Sequence, residues 1–263
     1  MTDFVQAGEV RVAFERAGHG PALVLMHGAE ASRQMFAALV PHLAKHFSVI
    51  SYDQRDCGDT EGPERAATLA DLANDAHQLI RALGFKRAHV FGSSFGGRVA
   101  QALALLHPRS IDRLVLASTW PLPRPYEELV PDARRLAELR QGLPETAEEL
   151  ATWFFPEDFL RQRPELRRVF ANARPASARF ERRAATVTTT LDNGVADIVA
   201  PTLVLAGELD RVVPPTVTLS MAGRIRGADA VLLPAIGHVT AIQAPEVLAH
   251  HILRFLNPAG VKP

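Results

Sequence analysis

Short apolar runs alternate with longer stretches of helical periodicity through the first part of the chain. This rhythm predicts strands joined by crossover helices in a mostly parallel sheet. ALVLMHG (22–28) ends in a turn after Gly28, FSVISYD (47–53) forms the next strand, and TLADLANDAHQLIRALG (68–84) reads as a helix. In that helix Leu69, Leu72, Ala76, Leu79, Ile80 and Leu83 share one face, Thr68 is placed to cap the start, and Gly84 stops it. AHVFGSS (88–94) follows as a buried strand, FGGRVAQALALLH (95–107) as a helix ending before Pro108, and IDRLVLAST (111–119) as another strand. These are βα units in series.

The pattern then changes. Between Trp120 and Leu191 no convincing buried strand is visible, and PLPRPYEEL, WFFPEDFL and RPELRRVFANARPASARFERR read as short helices joined at prolines. The earlier rhythm returns with APTLVLAGELD (200–210), a helical stretch, ADAVLLP (228–234), a loop carrying GHVT, and the helix PEVLAHHILRFL (245–256), whose proline suits a first turn. The expected organisation is a core in two parts, 1–119 and 192–263, interrupted by a helical lid at 120–191. No internal repeat or low-complexity segment is visible.

Composition narrows the partners. The 263 residues carry 29 basic and 29 acidic side chains, so no net field draws the chain towards nucleic acid or an anionic membrane. No stretch approaches the roughly 20 apolar residues of a membrane span, and the start, MTDFVQAGEV, lacks the basic and apolar regions of a signal peptide. Cys57 is the single cysteine, which precludes an intrachain disulfide. A cytoplasmic protein with a small-molecule substrate is expected; the oligomeric state is left open.

Candidate chemistry begins at Gly92-Ser93-Ser94-Phe95-Gly96, where a strand runs directly into a helix and matches GxSxG. The match selects Ser94 over Ser93. A nucleophile on such a turn holds an unfavourable backbone conformation, and the flanking glycines avoid collisions two residues to either side. Its hydroxyl then projects above the sheet, near the positive end of a helix and beside the Phe95 amide. Taken alone, the motif also fits a packing turn; a dinucleotide-binding GxGxxG fits less well, because it demands glycine where Ser94 stands.

A serine nucleophile needs a base, and the base needs an orienting carboxylate. Asp210 ends the strand LVLAGELD, and His238 lies in the loop after the next strand. Strand ends converge on one edge of a parallel sheet, and the order Ser, Asp, His suits this architecture. Asp210 also fits a simple helix cap, with Glu208 a nearby rival. Among the other histidines only His27 is comparably placed, and it more naturally braces the loop HGAEAS, from which Ala29 would supply a second oxyanion amide. Glu30 in that loop would oppose an oxyanion unless it faces solvent or a cation.

With HG at 27–28, YDQR at 52–55, GSSFGG at 92–97, GELD at 207–210 and GH at 237–238, the chain resembles the α/β-hydrolase superfamily over nearly its whole length. The resemblance implies an eight-stranded sheet flanked by helices, with a helical lid between strands ending near Ser118 and beginning near Thr202. It is most similar in look to 3-oxoadipate enol-lactonases and nearby small esterases. Relatives commonly carry RGxG where this chain reads Arg55-Asp56-Cys57-Gly58, which puts Asp56 at a usual glycine. If that loop needs a positive backbone angle at position 56, aspartate tolerates it better than most residues, so the fold is kept while the loop is open to reshaping. Cys57 fits either an inert small residue or a reactive thiol.

The expected reaction is acyl transfer from a small ester or lactone to water, with Ser94 as nucleophile, His238 as base and Asp210 as its orienting acid. The amides of Ala29 and Phe95 form the expected oxyanion hole. No metal or organic cofactor is needed, and neither HExxH nor CxxC is present. Trp120, Trp153 and Phe154 are candidates for the pocket wall. One of the lid arginines (161, 163, 167, 168, 174, 179, 182, 183) could hold a substrate carboxylate, although aromatics and arginines in a lid more commonly pack it or pair with Glu165 and Glu181. Three other readings use the same residues: a carbon–carbon bond hydrolase of ring-cleavage products, a cofactor-free perhydrolase, and a slow-turnover receptor.

Overall fold

The computed structural model describes residues 2–29, 31–171 and 177–256. Eight strands form one sheet in the order β1-β2-β4-β3-β5-β6-β7-β8. These are β1 (Asp3–Ala7), β2 (Val10–Ala17), β3 (Ala22–Met26), β4 (Ser48–Tyr52), β5 (Ala88–Ser93), β6 (Ile111–Ala117), β7 (Thr202–Gly207) and β8 (Asp229–Leu233). β1 and β2 pair antiparallel and β2 meets β4 antiparallel; every other pairing is parallel. The expected mostly parallel α/β-hydrolase sheet is therefore present. Two strand ends near Ser118 and Thr202 fall where the resemblance implied.

The helices are α1 (Val40–Leu43), α2 (Leu69–Ala82), α3 (Phe95–Leu106), α4 (Tyr126–Leu129), α5 (Ala133–Gln141), α6 (Ala147–Phe154), α7 (Glu157–Gln162), α8 (Ala178–Val187), α9 (Pro215–Leu219), α10 (Thr240–Gln243) and α11 (Pro245–Leu256). Thr68 caps α2 as expected. Its hydroxyl accepts from the Asp71 amide (3.1 Å), and Asp71 accepts from the Thr68 amide (2.8 Å), a reciprocal capping box.

Side-chain alternation along the strands builds a core on each face. Val24 and Met26 of β3 and Val90 of β5 pack with Leu69, Leu72, Leu79, Val99 and Leu103 from α2 and α3. Leu23, Leu25 and Phe91 point the other way, towards Leu248, Ile252 and Leu256 of α11. Both faces are covered, which is why these strands read as continuous apolar runs rather than alternating ones.

Five of the helices, α4 to α8, lie between β6 and β7. Trp153, Phe154, Phe155 and Leu160 from this insertion are buried in the same core as the α2/α3 face of the sheet. No helix among the described residues is long and apolar enough to cross a membrane.

Candidate active site

Ser94 links β5 to α3 at φ +55° and ψ −124°, a conformation L-residues rarely hold. The surroundings over-determine it: the Ser94 amide donates to Ala117 O (3.0 Å) and Gly97 N donates to Ser94 O (2.9 Å). Glycine is required on both sides. A Cβ at Gly92 would lie 2.4 Å from Gly96 O, and one at Gly96 would lie 2.1 Å from Met26 O. The second contact brings α3 hard against the end of β3, so the loop after β3 runs beside the serine. A Cβ at Gly28 would sit 3.5 Å from Ser94 Cβ and 3.9 Å from its Oγ. Ser94 itself is only partly buried.

Asp210 follows β7. Its Oδ1 accepts from the amides of Val212 (2.9 Å) and Val213 (2.8 Å), which fix the carboxylate and compensate its burial. His238 Nδ1 lies 3.1 Å from Asp210 Oδ1 and 2.9 Å from Oδ2. Facing a carboxylate, Nδ1 carries the proton and Nε2 keeps its lone pair. The rival acid is otherwise engaged: Glu208 is exposed and accepts from the Ala235 amide (2.9 Å).

His238 is also held from the insertion. Its main-chain N–H donates to Phe154 O (2.9 Å), and the edge-on Phe154 ring lies 5.3 Å from the imidazole. Gly237 permits this approach, since a Cβ there would lie 2.7 Å from Phe154 O. Ser94, Asp210 and His238 thus stand after the ends of β5, β7 and β8, on one edge of the sheet, and the structure joins the acid to the histidine.

His27 is fully buried and braces the loop, as its position suggested. Its Nε2 accepts from the Gln54 amide (3.0 Å) and its Nδ1 donates to Gly28 O (2.7 Å). Phe95, the residue after Ser94, is buried and Ala29 is half-buried; Glu30 lies outside the described residues. Of the suggested pocket residues, Phe154 stands next to His238. Trp153 lies under the Arg211 guanidinium (4.6 Å), and Trp120 packs between Tyr126 and Arg98.

Asp56 adopts φ +61°, a left-handed conformation that aspartate tolerates, and pairs with Arg182 of α8 (2.8 Å). Arg179 donates to the carbonyls of Cys57 (2.7 Å) and Thr60 (2.8 Å), and Cys57 is buried. Arg183 reaches Ala29 O (3.2 Å) and Gln54 Oε1 (3.0 Å). Arg161, Arg163 and Arg167 instead pair with Asp158, Glu165 and Glu157 on the surface; Arg174 lies outside the described residues. Sequence reasoning missed Gln54 and the docking role of α8. The signal available was the Arg179, Arg182, Arg183 and Thr186 spacing, which puts all four on one helical face.

A mostly parallel sheet with a strained serine after β5 and an acid–histidine pair after β7 and β8 defines a hydrolase of the α/β-hydrolase class. The alpha/beta hydrolase fold model matches residues 21–245, and the chain belongs to that family. A hydrolase from Pseudomonas aeruginosa PA01 is 32% identical with a TM-score of 0.81, covering 97% of this chain and 98% of that one. A thermophilic esterase from Thermogutta terrifontis, solved with malate bound, is 28% identical with a TM-score of 0.81, covering 98% of each chain. RutD of Caulobacter sp. (strain K31), provisionally named a carbamate hydrolase, is 29% identical over 96% of this chain and 98% of its own. The similarity extends to an enol-lactonase from Burkholderia xenovorans LB400.

Proposed function

We propose that the protein hydrolyses a small carboxylic ester or lactone through an acyl-enzyme on Ser94. The observation that carries this reading is the His238–Asp210 pair at 2.9 Å on the same sheet edge as a serine held at φ +55°. Ser94 Oγ attacks the carbonyl carbon as its proton passes to His238 Nε2, and the π electrons move onto the carbonyl oxygen. The amides of Ala29 and Phe95 receive that oxyanion. Collapse expels the alkoxide, which takes the proton from His238. Water, deprotonated by the same Nε2, then attacks the acyl carbon, and collapse of this second tetrahedral intermediate breaks the bond to Ser94 Oγ, which takes the proton back from His238 as the acid is released. Asp210 holds the imidazole tautomer throughout and steadies the imidazolium.

The inserted helices act in this reading as a lid, with Phe154 at the wall beside His238 and Trp120 and Trp153 packed deeper. No step calls for a metal or organic cofactor. A carbamate presents the same electrophilic carbon, and the Caulobacter relative's name makes it the first substrate to set against an ester.

The test is a panel of p-nitrophenyl esters, lactones, carbamates and vinylogous diketones, run with wild type and Ser94→Ala. Ester or lactone turnover that vanishes in the variant supports the reading. Turnover equal to wild type in Ser94→Ala ends it, and release of a dienoic acid from the diketones would reassign the reaction to carbon–carbon cleavage.

A further inference from the structure

Three consecutive carbonyls in the loop after β3 are each held by a side chain. Gln54 Nε2 donates to His27 O (2.6 Å), His27 Nδ1 to Gly28 O (2.7 Å), and Arg183 Nε to Ala29 O (3.2 Å). The set is closed by Arg183 Nη2, which donates to Gln54 Oε1 (3.0 Å). In a trans peptide the N–H points opposite to the preceding C=O. Tying Gly28 O to the imidazole therefore sets the direction of the Ala29 N–H, and tying Ala29 O stops the next peptide from rotating. The described residues of this loop lie in no helix or strand, and beyond one long main-chain bond, from Ala31 N–H to Gly28 O (3.4 Å), side chains do it.

The last of those ties crosses from the insertion to the core. Arg183 is 5% exposed, and its guanidinium lies 4.8 Å over the ring of Phe95, whose amide is the other proposed oxyanion donor. Its neighbour on α8, Arg182, has a carboxylate partner in Asp56. Among the described residues Arg183 has two neutral oxygens as acceptors, and its Nη1 is buried with no hydrogen-bond partner there. Among the described residues no carboxylate pairs with this guanidinium, and a buried positive charge so placed creates a field where negative charge is most stabilised. The one negative charge that the reaction brings to this place is the oxyanion.

We propose that Arg183 is a positioning residue of the oxyanion hole. From the inserted helix it fixes the Ala29 peptide, and its buried charge favours the tetrahedral intermediate over the bound ester. The proposal rests on Ser94 being the nucleophile. It predicts an effect on the transition state rather than on ground-state binding.

The experiment measures kcat and KM for p-nitrophenyl acetate, the affinity for butylboronic acid (which forms a tetrahedral anion on a serine), and Tm. Arg183→Met is expected to lower kcat by about ten- to a hundredfold with KM nearly unchanged, and to weaken boronate binding by a similar factor. Arg183→Lys, which keeps the charge, should recover part of both. Arg182→Gln removes a neighbouring lid–core ion pair without touching Ala29, so Tm should fall while kcat stays within about twofold of wild type. A rise in KM at unchanged kcat would make Arg183 a substrate contact instead, and a fall in Tm with kcat and boronate affinity intact would make it purely structural; either overturns the proposal. Failure of the parent reading looks different, since Ser94→Ala would then turn over and bind boronate like wild type.

Discussion

The sheet edge and the inserted helices build the two sides of this site by different means. At the sheet edge the main chain sets the geometry: Ser94 is trapped between Ala117 O and Gly97 N, and two amides grip Asp210. On the insertion side, long side chains do most of the work, with Arg179, Arg182 and Arg183 reaching across to residues 29 and 54–60. A main-chain scaffold fails as a unit when its packing is violated. A side-chain clasp can be undone one contact at a time, so damage to the two sides should differ in kind as well as in size.

The largest expected effect tests the sheet edge directly. Ser94→Ala should cut kcat/KM by a factor on the order of 10⁵–10⁶ with the folded state unharmed, measured on the best ester of the panel. Asp210→Asn should follow at about 10⁴-fold, because the amide presents the wrong partner to Nδ1 and the imidazole tautomer is lost. Gly96→Ala probes packing alone: its methyl would press on Met26 O, and a loss of about 3 kcal/mol in denaturant unfolding is expected. If that variant is as stable as wild type, the main-chain scaffold is looser than the contrast requires.

Crossing to the clasp, Arg182→Gln leaves the Asp56 carboxylate, whose side chain is 6% exposed, without its cation and should cost about 1–3 kcal/mol, read in the same unfolding experiment. Arg163→Gln breaks only an exposed pair with Glu165 and should leave the unfolding midpoint unchanged. Equal losses for these two arginines would erase the distinction between docked and solvated halves of the insertion.

Much of the sheet side was legible in the sequence because apolar runs, glycines and strand-end polar residues each carry a local physical signature. Ser94, Asp210 and His238 stood out by the kind of place they occupied. The hairpin of β1 and β2 was not located in advance, although Val10, Val12 and Phe14 alternate with Arg11 and Glu15 there, and Gly8 at φ +62° turns the chain. Its half-exposed strands lack the continuous apolar run that marks the others.

The insertion was harder to read. Arg163 and Arg183 look alike in sequence, yet one is solvated and the other almost wholly enclosed. Only tertiary contacts with residues far along the chain separate them. Asp56 was recognised as suited to a left-handed turn, but its partner on α8 lies 126 positions away and left no local trace.

The bond from His238 N–H to Phe154 O bears on any effort to reshape the entrance by swapping or trimming segments. A chimera that replaces α6 with a shorter homologous piece removes a peg on which the histidine loop hangs, even though every reacting side chain is retained. Such libraries should be enriched in folded but idle proteins unless the transplanted piece offers an acceptor to residue 238 and glycine is kept at 237.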